Sequence, residues 1–527
     1  MAQSTNGPVE QSHTGVPGLK IRGAAHKEVG PSPRAVARAM PRRALPFAEA
    51  VKKPYGLPGT LEGGLVGWRL LSEPPPVAVA GAGLAGCLAA VYLARRGEKV
   101  SVFEYRDDPR KQKKNIGRSI NLTLTSRGLT ALGKVGLRED IEALGVRLNG
   151  RVVHSPGAPP VFVPYGPDPE KHYLLSVPRP DLNKRLIDAA EAEPNVTLRF
   201  NHKLLNVELP AHPAVPNVSD PDTYTRMVFQ RTSGATVREM GTKNLRVGAK
   251  TTTASVKAVI GADGMFSRVR SSLQRKTPRF DFSQNFIAAG YKELLIPADP
   301  LGTGPFGRWR LDKNALHLWP RGKFMMIAQP NHDGSFSCTL FMPFSAEHSP
   351  EGSFDVLQTK EQVMKFFQRH FNDAIPLLPQ LLEDWFRNPT SPLCTVRCNP
   401  FNYGGAAVLI GDAAHAIVPF YGQGCNSAFE DCTLIAELWD EHNGDTAQVF
   451  AHFSSVRKQH VDAIADLAVE HYHELANKDV QPTLSFGRIK QRLDATVAAN
   501  WLFRMVRHAY LYTVAYTVRL LLAATTQ

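Results

Sequence analysis

The sequence predicts an α/β protein, with a Rossmann-like dinucleotide-binding domain, a mostly antiparallel β-sheet domain and C-terminal helices. Two observations indicate the dinucleotide domain. A glycine-rich turn at 81–86 separates an apolar strand from a helix, and two later strands end in Gly-Ala-Asp and Gly-Asp, at 261–263 and 411–412. A chain of 527 residues with 43% hydrophobic content is long enough for two domains with substantial cores.

The net charge of +14 is concentrated at the two ends of the chain. Residues 1–53 and 486–527 together supply +11 of it, so the long middle segment contributes only +3. A nucleic-acid enzyme would carry its basic residues on the folded domain, and we therefore expect no nucleic-acid partner. The six cysteines form no CxxC pair or zinc-type spacing, which argues against a disulfide scaffold or a structural metal.

The two ends differ in kind. Residues 1–72 are rich in Gly, Pro, Ala and Arg without a sustained period, which is typical of a disordered leader or an organelle transit segment. The C-terminal stretch 500–526 has helical spacing of apolar residues, but Arg504, Arg507 and Arg519 interrupt it. Its uncharged runs are shorter than the roughly 18–20 residues of a spanning helix. An interfacial helix and a helix packed on the protein's own core both remain open.

The glycine-rich turn, GAGLAG, lies between the strand VAVA and the helix CLAAVYLARRG. Gly81 permits the tight turn, Gly83 lets the backbone approach a pyrophosphate, and Gly86 lets helix and strand pack closely. Glu104 ends the next strand, 18 residues after Gly86, and can accept hydrogen bonds from ribose hydroxyls. The helix N-terminus adds a partial positive charge. We therefore predict a cofactor that contains ADP.

The two later strands favour FAD over NAD. VKAVIGADGMFSRVR, at 256–270, and AAVLIGDAAHAIVPFYGQG, ending at residue 424, each run from a strand into a turn with an aspartate. Repeated contact points of this kind suit one extended cofactor, with Asp412 holding the ribityl chain. The helix NSAFEDCTLIAELW, predicted to begin at Asn426, places its N-terminus near the isoalloxazine, where its dipole stabilises anionic reduced flavin.

The same stretch also contains residues typical of metal sites and nucleophiles. Asp412 and His415 form only an i, i+3 pair, without the further ligands that a metal needs, and Cys425 has no evident partner base. We therefore expect His415 to be a packed, hydrogen-bonded side chain, Cys425 to be unreactive, and the chain to hold no metal.

The order of these motifs resembles the class A flavoprotein aromatic hydroxylases, which share the p-hydroxybenzoate hydroxylase-like fold. Within that group the chain resembles the kynurenine 3-monooxygenases over about residues 76–475. The supporting segments include GRSINLTLTSRGLTALGKVGL, YLLSVPRPDLNKRL and LHLWPRGKFMMIAQPN. The resemblance implies the following organisation: leader, 1–72; FAD-binding domain, 73–150, 172–277 and 395–450; substrate domain, 151–171 and 278–394; C-terminal helical region, 451–527.

The resemblance also implies which residues form the site. The residues implied for FAD binding are Gly81, Gly83, Ala85, Gly86, Phe103, Glu104, Tyr105, Arg106, Thr123, Arg179, Leu204, Asp263, Asp412, Cys425 and Asn426. Those implied for the substrate are Arg151, Tyr165, His471 and Tyr512. A guanidinium can fork onto a carboxylate, which suits Arg151 to an amino-acid substrate. The chain departs from the family's common pattern at His471, where Asn is frequent, and at Cys425, where Met is.

The activity implied by the resemblance is hydroxylation of L-kynurenine to 3-hydroxy-L-kynurenine with NADPH and O2, through a flavin C4a-hydroperoxide. This reaction belongs to tryptophan degradation and de novo NAD biosynthesis. FAD would be tightly but non-covalently bound, and NADPH would be a transient co-substrate. A related hydroxylase of another anionic aromatic acid, and a flavin-bound scaffold or redox sensor, are the alternatives.

The resemblance further implies a mitochondrial location at the outer membrane, with plastid or cytosol as alternatives. The C-terminal helix would provide peripheral membrane contact.

Overall fold

The computed structural model describes residues 75–111, 120–212, 223–232 and 251–476, and within the last helix it describes side chains up to residue 471. The leader at 1–72, most of the C-terminal region and the predicted substrate residue Tyr512 lie outside the described residues.

The strands and helices alternate in the first third of the chain and separate into longer blocks afterwards. The strands are β1 (Val77–Ala80), β2 (Val100–Phe103), β3 (Asn121–Leu124), β4 (Val146–Leu148), β5 (Gly150–Val153), β6 (Val161–Pro164), β7 (Leu174–Pro178), β8 (Val196–Arg199), β9 (His202–Glu208), β10 (Thr225–Arg231), β11 (Thr251–Val256), β12 (Ala258–Gly261), β13 (Asp281–Ile296), β14 (Ala315–Arg321), β15 (Phe324–Pro330), β16 (Phe336–Pro343), β17 (Ser391–Asn399), β18 (Asn402–Tyr403) and β19 (Ala407–Leu409). The helices are α1 (Leu84–Ala94), α2 (Ser126–Lys134), α3 (Arg138–Leu144), α4 (Arg179–Glu191), α5 (Arg268–Lys276), α6 (Lys360–His370), α7 (Leu381–Arg387), α8 (Asp412–His415), α9 (Gly424–Glu441) and α10 (Thr446–Ala476).

A six-stranded sheet carries the glycine-rich turn. Its order is β18-β19-β12-β1-β2-β8, and every pair is parallel except the edge pair of β18 and β19. The inner strands read as continuous apolar runs because they are buried on both faces, as parallel strands are. The carboxyl ends of β1, β12 and β19 therefore meet at one edge of the sheet, where GAGLAG, GADG and Gly411 follow them.

Glycines at this edge let backbone segments approach closely. A Cβ at Gly86 would lie 1.9 Å from the carbonyl oxygen of Gly81, so only glycine lets α1 start against β1. Gly81 has φ of +101°, and a Cβ there would lie 2.5 Å from the carbonyl oxygen of Ala262. The packing role expected of Gly86 and the turn role expected of Gly81 are both confirmed.

A seven-stranded sheet forms the second layer. Its order is β17-β13-β16-β15-β14-β5-β6, with all neighbours antiparallel except β14 and β5. One face packs against α6 and α7 through a cluster that includes Trp319, Phe367 and Trp385. The other face contributes Tyr291 and Phe341 to a cluster shared with the 417–421 loop and α10.

The α/β fold class, with its mostly antiparallel second sheet, is confirmed. All six cysteines of the chain are free thiols, as their spacing predicted. α9 begins two residues before the predicted start at Asn426, and it packs between α1, α2 and α10. Among the residues that the structure describes, no helix combines the length and the apolar character needed to cross a bilayer.

Candidate active site

A cavity of about 830 Å³ extends from the glycine-rich turn to the inner face of the seven-stranded sheet. Its volume falls in the range of small-molecule and cofactor sites. The cavity brings together most of the predicted site residues: Gly81, Gly83, Ala85, Phe103, Glu104, Tyr105, Arg106, Thr123, Arg151, Tyr165, Arg179, Leu204, Asp263, Asp412, Cys425 and His471. Of the predicted residues that the structure describes, only Gly86 and Asn426 do not line it.

The N-terminus of α1 presents an anion-binding surface to the cavity. Gly83 is its N-cap, and no side chain caps the first turn, so the first backbone N–H groups lack intrahelical acceptors. A Cβ at Gly83 would meet no protein atom within 4 Å, and the residue lines the cavity. The open space beside these N–H groups suits a pyrophosphate, which the helix dipole also favours.

Glu104 is held by the backbone around it. One carboxylate oxygen accepts a hydrogen bond from Ala82 N at 3.0 Å, and the other accepts one from Arg106 N at 3.0 Å. The side chain is buried, but Glu104 still lines the cavity. Each carboxylate oxygen has a second lone pair, so Glu104 can accept hydrogen bonds from two ribose hydroxyls without giving up its own support.

Asp263 lines the cavity as predicted, and its carboxylate is hydrogen-bonded within the protein. Its Oδ1 accepts a hydrogen bond from Ser267 Oγ at 2.5 Å, and its Oδ2 accepts from the N–H groups of Arg268 and Val269 at 2.7 and 3.2 Å. Burial raises the pKa of this carboxyl, and these hydrogen bonds oppose the rise. The carboxylate therefore fixes the start of α5, and Asp263 contributes to the cavity wall beside the cofactor rather than reaching for it.

Asp412 is the polar side chain that the turn after β19 directs into the cavity. It is exposed in the structure and lines the cavity directly after Gly411, whose φ is +55°. A carboxylate here can accept hydrogen bonds from a polyol chain. Gly411 also lies close to Ala85 at the start of α1. A Cβ added at Gly411 would be 3.4 Å from the Cβ of Ala85.

A buried ionic network holds the turn in place. Asp431 on α9 accepts hydrogen bonds from Gly411 N at 2.7 Å, from His415 Nε2 at 2.6 Å and from Arg457 Nε at 2.6 Å. Burial alone would raise the pKa of Asp431, but His415 and Arg457 hold it below its usual value. Arg457 also donates to Glu430 Oε2 at 3.1 Å, which links α10 to α9.

This network decides the role of His415. The imidazole is buried at 3% exposure and is hydrogen-bonded to Asp431, so the expectation of a packed, hydrogen-bonded side chain is confirmed. Asp431 and Arg457 were not predicted from the sequence. An acidic residue in an otherwise apolar stretch of α9 was the available signal, but its partner on α10 lies 26 residues away.

The start of α9 places two predicted residues differently. Cys425 lines the cavity, and burial raises the pKa of its thiol to about 12, which keeps it protonated and unreactive as expected. Asn426 is fully buried behind the cavity wall. Its Oδ1 accepts from Thr125 N at 2.9 Å, and its Nδ2 donates to the carbonyls of Thr123 and Gly422 at 2.9 Å each. The amide of Asn426 therefore positions these loops and does not reach into the cavity.

The opposite end of the cavity contains Arg151 and Tyr165. β5 and β6 form an antiparallel hairpin with Arg151 opposite Val163, and Tyr165 directly follows β6. Arg151 Nε is buried without a hydrogen-bond partner, and no carboxylate of the described residues pairs with the guanidinium. Burial raises the pKa of Tyr165 to about 12, an effect that Arg151 opposes. A half-buried guanidinium that lines a cavity and lacks a carboxylate partner suits an anionic group of a ligand.

Apolar and aromatic side chains line the space between Arg151 and the α9 start. Tyr291 and Phe341 have ring centroids 6.2 Å apart, and Phe341 lies 5.0 Å from Phe420. His471 on α10 lines the same cavity, with its ring 5.8 Å from that of Tyr421. The arrangement is a flat, largely apolar slot with a cation at one end, which fits an aromatic ring that carries a carboxylate.

Taken together, the residues fit FAD. The uncapped α1 N-terminus, the open space at Gly83 and the supported carboxylate of Glu104 suit its ADP half. The exposed Asp412 and the α9 N-terminus lie where the cavity continues toward the aromatic slot. The observed groups therefore match an extended dinucleotide whose ring system ends beside the slot.

Comparison with known proteins agrees with this cavity. The protein family described as FAD binding domain matches residues 75–468. The kynurenine 3-monooxygenase of Anopheles gambiae is 39% identical over 405 residues, which cover 76% of this chain and 75% of that protein. That of Salinispora arenicola is 40% identical over 438 residues, covering 82% and 87%. The chain belongs to the kynurenine 3-monooxygenase family.

Solved structures show the same fold at low sequence identity. PqsL of Pseudomonas aeruginosa, in complex with 2-aminobenzoylacetate, has a TM-score of 0.56 and 16% identity over 76% of this chain and 99% of that chain. The tetrameric 2-methyl-3-hydroxypyridine-5-carboxylic acid oxygenase has a TM-score of 0.56 and 18% identity over 78% and 95%. The family thus shares its architecture with these oxygenases.

Several cavity residues of this family member were not predicted from the sequence. The residues missed on the seven-stranded sheet are Tyr291, Leu316, Leu318, Met325, Ile327, Gln329, Thr339 and Phe341. On β15 the three that line the cavity occur at every second position, the period of one strand face. The pattern could therefore have grouped them. It could not have said which face of the sheet covers the cofactor cavity.

Proposed function

We propose that the chain is an FAD-dependent monooxygenase that hydroxylates L-kynurenine to 3-hydroxy-L-kynurenine, using NADPH and O2. The reaction serves tryptophan degradation and de novo NAD biosynthesis. One observation carries the proposal. Arg151, whose Nε is buried without a hydrogen-bond partner, lines the same cavity as the GAGLAG turn. The names of the relatives, kynurenine 3-monooxygenases, support the substrate.

Substrate positioning is the first task of the chain's own residues. Arg151 binds the carboxylate of the amino-acid side chain through paired N–H donors, which fixes the orientation as well as the affinity. Tyr291, Phe341 and Phe420 hold the aromatic ring against the inner face of the sheet. A ring anchored at one end and packed along its faces keeps one carbon directed toward the α9 start.

Exclusion of water is the second task. FAD, held by the α1 N-terminus, Glu104 and Asp412, would supply the redox chemistry, namely acceptance of a hydride from NADPH and activation of O2 for transfer of one oxygen atom to an electron-rich ring. The apolar slot keeps water from the reacting atoms, and this limits loss of the activated oxygen as hydrogen peroxide. Tyr165 and Cys425 stay neutral near neutral pH because burial raises the pKa of each to about 12. Neither residue is a general base, and the ortho-amino group of the substrate supplies the electron density instead.

NADPH acts as a transient co-substrate. In the part of the chain that the structure describes, the GAGLAG turn is the one glycine-rich strand-to-helix fingerprint. The nicotinamide would therefore bind transiently in a groove that it shares with the flavin.

The second candidate is hydroxylation of another anionic aromatic acid, because Arg151 would pair with any carboxylate at the end of the slot. The purified FAD-containing protein is mixed with NADPH and with L-kynurenine, anthranilate or 4-hydroxybenzoate in turn, and NADPH oxidation is followed. L-Kynurenine should stimulate the oxidation most and yield a hydroxylated product. If another acid stimulates NADPH oxidation more strongly and is itself hydroxylated, that acid and not kynurenine is the substrate. If NADPH does not reduce the bound flavin in the presence of any of these acids, a redox sensor or scaffold would be favoured.

We also propose a mitochondrial location with peripheral attachment to the outer membrane. The support is the apolar, arginine-interrupted stretch at 500–526, which lies outside the described residues, and the basic leader. Carbonate extraction of a native membrane fraction should release the protein. Retention in the membrane pellet would contradict peripheral attachment, and recovery in the cytosolic fraction would contradict the location.

A further inference from the structure

Three ligand-bearing side chains converge where α9 turns into α10. Glu441 is the last residue of α9, His442 is its C-cap, and His452 lies in the second turn of α10. His442 Nε2 and His452 Nδ1 are 3.1 Å apart, and each lies 4.0 Å from Glu441 Oε1. Among the residues that the structure describes, this is the one group of three such side chains close enough to share an ion.

We propose that Glu441, His442 and His452 bind one Zn²⁺ ion. Tetrahedral zinc with ligand bonds of about 2.0–2.2 Å requires its donor atoms to be about 3.3–3.5 Å apart. The observed separations of 3.1 and 4.0 Å bracket this range, so shifts of about half an ångström complete the geometry. Two imidazoles and one carboxylate are donors that zinc accepts readily, and a water fills the fourth position.

The turn that joins α9 to α10 and positions the three donors is already fixed. Asn443 and Gly444 both take positive φ, at 51° and 73°. Asp440 pairs with the guanidinium of Arg96 through two hydrogen bonds of 2.8 and 2.6 Å. Asp445 caps the start of α10, with Oδ1 accepting from Ala447 N at 2.9 Å. Binding therefore costs little backbone ordering, and the donors are held in advance.

Charge and exposure favour a cation at this place. The segment from Asp440 to Asp445 contains three acidic residues and no lysine or arginine. The three ligand side chains are 59%, 20% and 37% exposed in the order Glu441, His442 and His452, so an ion can enter from solvent. None of them lines the cavity described above. The ion would therefore clamp the α9–α10 turn without touching the reacting atoms.

The structural consequence concerns the helix pair that supports the active site. α9 begins at the cavity wall, and α10 contributes Arg457 to the carboxylate of Asp431. An ion that joins the two helices at their turn stabilises the folded state, since it binds only when the three donors are together. A hydrogen bond between the two imidazoles would also explain the 3.1 Å contact without a metal. The two explanations differ because only a metal site binds added zinc through these three residues.

The test is a calorimetric titration of ZnCl2 into the full-length FAD-containing protein, after dialysis against a chelator. One equivalent should bind and should raise the unfolding temperature. His442→Ala and His452→Ala should each weaken binding by at least about tenfold, because loss of even an outer-shell partner costs about 10–100-fold at zinc sites. Both variants should keep their FAD content and turnover, which shows that they are folded.

Two further variants make the result decisive. His332→Ala removes an exposed histidine far along the chain from the turn and should bind zinc as the unchanged protein does. Glu441→Gln keeps the size of a mostly exposed side chain and should weaken binding even if a histidine variant fails to fold. The proposal is overturned if the unchanged protein does not bind one equivalent of zinc. It is also overturned if Glu441→Gln and the folded histidine variants bind zinc with the affinity of the unchanged protein.

Discussion

Arg151 and Glu104 present opposite charges to the two ends of one cavity, and the protein supports them differently. The carboxylate of Glu104 is fixed by two backbone N–H donors before any ligand binds. Arg151 Nε has no such partner. A preformed acceptor suits a cofactor that stays bound, while an unsatisfied donor gains most when a substrate carboxylate arrives. The two residues should therefore respond differently to substitution.

Arg151→Ala should weaken kynurenine binding by about 2–4 kcal/mol, because the substrate carboxylate would be left without its partner in a partly desolvated site. Arg151→Lys keeps the charge but loses the paired donors, so it should restore only part of the affinity. A titration of kynurenine against NADPH oxidation measures both, with product and hydrogen peroxide determined together. Normal affinity and unchanged coupling in Arg151→Ala would place the substrate carboxylate elsewhere.

Glu104→Ala should weaken FAD binding by about 1–3 kcal/mol, the size of a lost hydrogen bond to a charged group. Glu104→Gln should lose less, since one amide oxygen still accepts from a ribose hydroxyl. The dissociation constant follows from the quenching of flavin fluorescence during reconstitution of the protein. An unchanged constant in Glu104→Ala would mean that the carboxylate serves only the turn around Ala82.

At the scale of elements, the active site depends on a turn at Gly411 that residues of α9 and α10 hold in place. Gly411 lies between β19 and α8 and is held from behind by Asp431 on α9. Arg457 on α10 holds the same carboxylate. The position of Asp412 in the cavity is therefore set by residues that never reach the cavity, and a change in them should alter cofactor binding.

Asp431→Asn should destabilise the fold by up to about 3–5 kcal/mol, because it removes one of the two carboxylates that pair with the fully buried Arg457 and leaves only Glu430. FAD affinity should fall as well, since the amide cannot accept from Gly411, His415 and Arg457 together. Glu437→Gln on the same helix breaks an exposed pair with Lys134 and should cost no more than about 1 kcal/mol. Denaturant unfolding with and without FAD compares them. Equal stability of the two variants would contradict the role of the buried network.

A buried histidine pair in the seven-stranded sheet should make stability depend on pH. His154 Nε2 lies 3.0 Å from His317 Nδ1, and the ring of His154 stacks on Trp319 at 4.2 Å. Burial, with a further effect of His317, lowers the pKa of His154 to about 4 from an ordinary 6.5. The native imidazole thus stays neutral where the unfolded one takes up a proton.

Stability contributed by His154 should be full above pH 6.5 and should decline as pH falls from 6.5 toward 4, since the unfolded state then binds more protons. Between pH 7 and pH 5 this loss should amount to about 1–2 kcal/mol. His154→Gln should show a correspondingly smaller decline in unfolding midpoint over the same interval. An identical decline in the variant and the unchanged protein would show that other groups cause it.

At the scale of the whole molecule, the sequence predicted the local motifs more fully than the contacts between segments that are distant in the chain. GAGLAG and Glu104 could be located because strand, glycine turn and helix are contiguous and their spacing has a direct physical cause. The hairpin of Arg151 and Tyr165 could be predicted for the same reason, since its strands are neighbours in the chain.

Long-range contacts could not be predicted in this way. Asp263 lines the cavity as expected, but its carboxylate is hydrogen-bonded to the start of α5, and this contact depends on where Ser267 and the first turn of the helix lie. Asn426 was expected at the flavin, but loops 300 residues earlier in the chain occupy its amide. Single-sequence patterns identify polar residues near a turn, whereas the folded chain decides which partner each one meets.

The most direct test of kynurenine hydroxylation is oxygen labelling of the product. The FAD-containing protein is incubated with L-kynurenine, NADPH and ¹⁸O₂, and the product is identified by mass spectrometry. We expect 3-hydroxy-L-kynurenine that carries one ¹⁸O atom, in an amount close to the NADPH consumed. NADPH consumption that yields only hydrogen peroxide, or a product without the label, would contradict the assignment of this cavity to oxygen transfer onto kynurenine.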